Sequence, residues 1–147
     1  MLTAGLSGRK ISLSVDQFLV PFRTLYVYRA SRLMSALWWK IGAAYGLTAV
    51  VAGSFGSHGL RNKVEARDLE IWETACKYQF YHSLAILLAV TRAGPGAKLP
   101  CALFTVGTAI FSGSLYALVL TGNRKLGAVT PIGGLTLIGG WFALFFI

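Results

Sequence analysis

Residues 99–120 read LPCALFTVGTAIFSGSLYALVL, with no charged side chain at any of the positions. A helix of that length rises about 33 Å, enough to cross a hydrocarbon layer of about 30 Å. The whole chain agrees with a bilayer as solvent. It has 147 residues, of which 55% are hydrophobic and 13% charged, and its mean hydropathy is +0.62. A soluble domain of this size carries about a quarter charged residues.

Short polar turns flank this stretch on both sides. Upstream, RAGPGAKLP (92–100) is rich in Gly, Pro and cations, and it separates residues 99–120 from a weaker apolar run at 71–91. That run opens with Glu73 and Lys77 at i, i+4, and only Tyr78–Thr91 is free of charge. It is therefore the marginal crossing, dependent on Lys77 snorkelling toward the headgroups. Further upstream lie the mixed-charge linker LRNKVEARDLE (60–70) and then WWKIGAAYGLTAVVAGSFGS (38–57), whose one cation, Lys40, sits near its start. In that segment Gly42, Gly46, Ala49, Gly53 and Ser57 recur every three or four residues, a stripe that suits close helix packing. Its end is expected at Ser57-His58-Gly59, with His58 at the cap and Gly59 left-handed. Downstream, TGNRK (121–125) is a turn, and LGAVTPIGGLTLIGGWFALFFI (126–147) follows. Thr130-Pro131 suits an N-cap followed by proline in the first turn, and Gly133, Thr136 and Gly140 form a second small-residue face.

The expected fold is an all-α membrane protein. Four transmembrane helices, at about 38–57, 71–91, 99–120 and 126–147, form an up-down-up-down bundle in a domain spanning 36–147, with both termini on one side. A basic N-terminal arm, residues 1–35, precedes it. The arm has Arg9, Lys10, Arg23, Arg29 and Arg32 against one acid, Asp16. That composition fits a mitochondrial targeting segment or a docking arm on an anionic surface. Counting the arm's cations, the termini are expected in the matrix. The net charge of +9 is accounted for by this arm and by the turns, so nucleic acid is not an expected partner.

Chemistry in such a chain is sought among polar groups within the spans: His58, Lys77, Tyr78, Gln79, Tyr81 and His82. Ala75, Gln79, His82 and Ile86 fall on one helical face, which is expected to point inward. Two histidines raise the question of haem or a metal. His58 ends the first helix, however, whereas His82 lies about nine residues inside the second, roughly 13 Å deeper, so they cannot meet on one ion. His82 is expected to hydrogen-bond Gln79 or a backbone carbonyl. Four of the five acids lie between Glu65 and Glu73, in a solvated cluster rather than paired at depth. Cys76 and Cys101 are expected at opposite ends of the bundle, beyond disulfide reach. The expectation is thus no catalytic residue, no metal site and no cofactor apart from structural lipids.

Several segments together resemble one family. GSFGSHGL (53–60), WETACKYQFYHSLAILL (72–88), FSGSLYAL (111–118), LGAVTPIGG (126–134) and Gly140-Trp141 are similar to the small membrane proteins called transmembrane protein 256, or domain of unknown function 423. The resemblance covers about residues 38–147. It implies four spans and no established reaction. The matching positions are Gly56, His58, Gly59, Trp72, Lys77, Tyr78, Gln79, His82, Thr130, Pro131, Gly133 and Gly134, most with a ready packing or capping role. Ser57 stands where the family usually has Ala.

The functional expectation is a non-catalytic accessory subunit of a mitochondrial inner-membrane respiratory-chain assembly, with membrane lipids and other membrane subunits as partners. The alternatives are a small oligomeric transporter or channel using intramembrane His and Gln, and a lipid- or quinone-binding membrane component.

Overall fold

The computed structural model describes the backbone of residues 15–147 and the side chains of residues 29–147 apart from Pro95. The chain divides into two compact units, Met1–Ala30 and Ser31–Ile147. The described residues form four helices and no strand: α1 (Val15–Phe55), α2 (Ala66–Ala93), α3 (Lys98–Thr121) and α4 (Thr130–Phe145). The first part of the expected arm, residues 1–14, lies outside the described residues.

Three boundaries differ from expectation. α1 continues without a break through residue 36, where arm and first span were expected to part. Residues 22–41 hold neither Gly nor Pro, so nothing in them stops a helix once started. α2 starts at Ala66 rather than near Ile71, because the charged residues of the linker are good helix formers and Asp68 suits a first turn. α4 starts at Thr130 with Val129 at the cap, so Pro131 is the second helical residue and Thr130 does not cap with its side chain. The hydroxyl instead meets Ser114 Oγ of α3 at 2.8 Å. The residues before it, Arg124–Ala128, form a 3-10 turn rather than part of the helix.

The end of α1 also departs from the expected left-handed stop. Gly56–Leu60 continue as one π-helical turn, and the glycines with positive φ among the described residues are Gly94 and Gly122, which end α2 and α3. A Cβ at Gly59 would come within 2.7 Å of the ring of Phe55, an exposed side chain that would have to turn aside. His58 is exposed and caps nothing.

Successive helices run antiparallel, as their cross-contacts require. Between α2 and α3, Ser112 Oγ donates to Ala75 O (2.9 Å) and Cys101 Sγ to Ile86 O (3.8 Å), so partner numbers rise on one helix as they fall on the other. Between α3 and α4 the same holds for Ser114 with Thr130, Gly107 with Leu137, and Phe104 with Gly140. α1 lies along α2 through Trp72 Nε1 donating to Ala52 O (2.8 Å) and Gln79 Nε2 donating to Tyr45 O (3.0 Å) and Thr48 Oγ1 (2.7 Å). It reaches α3 through Tyr45 Oη, which donates to Thr105 O (3.0 Å).

Glycine makes these approaches close, though not at every position of the expected stripes. Gly42 and Gly46 face Leu87 and Ser83 of α2, whereas Gly53 faces open space. On α4, Gly133 and Gly140 meet α3, while Thr136 bonds back to Ile132 O of its own helix. At the polar end of the bundle, Arg124 donates to both oxygens of the largely buried Asp68 carboxylate, Nη2 to Oδ2 at 3.1 Å. This bidentate pair fixes the α3–α4 connection against the start of α2.

Candidate functional site

The inward face expected on α2 is present, since Ala75, Gln79, His82 and Ile86 are all buried. Gln79 and His82 nevertheless turn to different neighbours. Being three residues apart, they are offset by about 60° around the helix. Gln79 therefore reaches α1, and His82 faces α3 and α4. The histidine does not bond to Gln79: its Nδ1 lies 2.7 Å from Tyr78 O, and its Nε2 accepts from Trp141 Nε1 at 3.2 Å. A carbonyl on one side and an N–H donor on the other define the neutral tautomer with the proton on Nδ1.

Aromatic rings surround this imidazole. Tyr78 stacks on it from the preceding turn with centroids 5.9 Å apart, Phe104 lies at 5.6 Å and Trp141 edge-on at 6.1 Å. Tyr78 also stacks on Phe111 at 4.5 Å, and Phe104 meets Trp141 edge-on at 5.2 Å. Next to the cluster, α2, α3 and α4 leave a crevice of about 410 Å³, lined by Tyr78, Tyr81, His82, Phe111, Gly134, Leu137, Ile138 and Trp141. Tyr81, Ile138 and Trp141 form its exposed mouth.

The other expected positions are placed elsewhere. His58 is exposed beside the π turn. Gly56, two residues before it, touches Trp72, and Trp72 is ten residues, about 15 Å, along α2 from His82. Lys77 points outward and pairs with Glu73 at 3.3 Å, the expected i, i+4 pair. Gly133 and Gly134 face Phe111. Cys76 and Cys101 are free thiols; Cys76 accepts from Tyr116 Oη at 3.4 Å. No group of three His, Cys, Asp or Glu is placed to hold a metal among the described residues.

Sequence reading missed Trp141 as the partner of His82, and Tyr45 and Thr48 as partners of Gln79. One signal was available for the tryptophan. An indole N–H in an otherwise apolar helix needs an acceptor, and His82 is one of the few on the apolar helices.

Comparison with known proteins accounts for this set of motifs. The family model described as protein of unknown function (DUF423) matches residues 52–134. The chain belongs to the DUF423 family. Relatives at this level include a UPF0382 membrane protein of Staphylococcus saprophyticus, 44% identical over 71% of this chain and 89% of its own. Another is the UPF0382 membrane protein YwdK of Bacillus subtilis, 38% identical over 71% and 89%. A third, from Schizosaccharomyces pombe, is 38% identical over 70% and 93%. No solved structure matches. Among the described residues of this DUF423 chain, two helical segments, Lys98–Thr121 and Arg124–Phe145, are long and apolar enough to cross a bilayer, and it is an integral membrane protein like those relatives. The bacterial relatives come from cells without mitochondria, so the mitochondrial expectation rests on the basic N-terminal segment, which precedes the DUF423 match.

Proposed function

We propose that this DUF423 membrane protein crosses the bilayer four times and has no catalytic centre, serving as an accessory subunit packed laterally in a respiratory-chain assembly of the mitochondrial inner membrane. The observation that carries the reading is the commitment of His82. Both ring nitrogens of this buried histidine are engaged, one by its own helix and one by Trp141, so the imidazole joins α2 to α4 and has no free lone pair for a proton, metal or substrate. The same commitment counts against a transporter that moves protons through His82.

Support for four crossings comes from packing. α1 and α2 are bonded at successive levels to each other and to α3, so once α3 spans the bilayer the other two occupy the same depth. Lys40 lies two residues before Gly42, which packs on Ser83 and Leu87, so its side chain can extend toward the α2–α3 turn while that of Lys77 extends toward the opposite face. Cysteines placed singly at Arg61 and Asn123 should react with an impermeant maleimide from one side of the membrane, and one placed at Gly96 only from the other. Labelling of all three from the same side excludes the four-crossing bundle.

The mitochondrial assembly is supported by the cation-rich segment before residue 36 and by the apolar outer face of α4, where Leu135, Ile138, Phe142 and Phe145 are all more than half exposed. After mild detergent extraction of mitochondria, the protein should migrate on native gels with a complex several times its own 15.8 kDa. Migration as a free monomer rejects the subunit reading without touching the topology.

A further inference from the structure

We propose that the crevice between α2, α3 and α4 binds the ring of a prenylated quinone, with the Tyr78 and Tyr81 hydroxyls donating to the ring carbonyls. The inference takes its depth from the four-crossing reading, on which it rests. Both tyrosines line the crevice, and neither hydroxyl has a hydrogen-bond partner among the described residues. They belong to Tyr78–Thr91, the charge-free part of α2. A phenol O–H left unpaired in hydrocarbon is costly, and in a bilayer no water is at hand to satisfy it. Two such donors beside one cavity call for a ligand that supplies acceptors there.

Depth selects the kind of acceptor. By the pairing of Ala75 with Ser112 and of Ile86 with Cys101, Tyr81 is level with about residue 106 of α3, roughly 10 Å inside the uncharged stretch 99–120 and so within a hydrocarbon layer about 30 Å thick. Phospholipid ester carbonyls stay at the headgroup boundary, and acyl chains carry no acceptor. A quinone dissolves in the hydrocarbon and presents two carbonyls on a flat ring. The walls suit that shape: Phe111, Tyr78 and Trp141 offer aromatic faces and edges for stacking, and about 410 Å³ admits one substituted ring. The exposed mouth at Ile138 leaves an isoprenoid tail free in the lipid. His82, already bonded on both sides, holds Trp141 in the wall and takes no part in binding.

The test uses the full chain in phosphatidylcholine nanodiscs, photolabelled with an azido-benzoquinone and competed with a decyl-substituted benzoquinone. Labelling should saturate and map to peptides of α2 and α4. In the double variant Tyr78→Phe/Tyr81→Phe, which keeps both rings, half-competition should need about twenty-fivefold more competitor, about fivefold for each hydroxyl. The single variant Tyr81→Phe, the less disruptive change at an exposed ring, should show the fivefold step while melting like the parent. Three results overturn the proposal: labelling that does not saturate, equal competition in parent and hydroxyl-deleted proteins, or equal competition by hexadecane, which means that the crevice holds acyl chains. Maleimide accessibility reports separately on the crossings, so failure of the ligand and failure of the topology are distinguishable.

Discussion

Replacing Gly133 by alanine is expected to cost about 3 kcal/mol of stability, the upper part of the usual range for overpacking. The added Cβ would lie 2.5 Å from the backbone nitrogen of Phe111 and 2.8 Å from its Cα. Backbone cannot swing aside as a side-chain tip can, so α3 and α4 must separate along their length. Separation also pulls Ser114 from Thr130 and Gly140 from Phe104. In lipid this loss is not softened by a hydrophobic term, because helix association there depends on close packing and interhelical hydrogen bonds. Gly134→Ala is the internal control, since its nearest neighbour, the Phe111 ring, is at an ordinary 3.7 Å. Reversible unfolding in mixed micelles should separate the two variants by more than 2 kcal/mol, roughly a thirtyfold ratio in the folding constant. Equal stabilities mean that α3 and α4 are not packed backbone to backbone.

The second large effect is expected at Trp72, where truncation to alanine should cost about 3–5 kcal/mol. This buried indole joins three helices. Its N–H donates to Ala52 O of α1, its ring lies 4.6 Å from that of Tyr116 on α3 and 5.6 Å from Phe55, and it occupies the space that a side chain at Gly56 would need. Trp72→Phe keeps part of the packing and loses the hydrogen bond, for an expected 1–2 kcal/mol or so. Trp141→Ala should cost less than Trp72→Ala, because Trp141 is half exposed and closes only the edge of the crevice. The same unfolding measurement ranks all three, and a Trp72→Ala protein as stable as Trp141→Ala contradicts the role of Trp72 as the joint.

Both residues were legible as positions of interest, but their roles were not. Gly133 belongs to a small-residue face visible in the sequence, which shows that some helix approaches there. It does not show that the approach reaches the Phe111 backbone. Trp72 stands out in the sequence only as a position matching the family motifs, with a packing or capping role expected; its burial against Gly56 occurs at the π-helical turn that replaces the expected glycine stop. Similarly, periodicity placed Gln79 and His82 together on the inward face of α2. With three helices around that face, an offset of about 60° sends one side chain to α1 and the other to α4.

By itself the sequence determined the helical class, the apolar stretches and the turns between them. These follow from local chemistry: runs without charge, Gly and Pro at connections, and cations where a helix end meets headgroups. It also determined family membership through motifs spread over most of the chain, and it separated the two histidines by counting residues along a helix. Tertiary structure decided the rest. The partners of His82 and Gln79, the joint at Trp72 and the crevice beside Tyr78 and Tyr81 arise where residues tens of positions apart meet. Such meetings depend on the rotation and spacing of whole helices, set by the sum of many glycine contacts and interhelical hydrogen bonds rather than by any one segment.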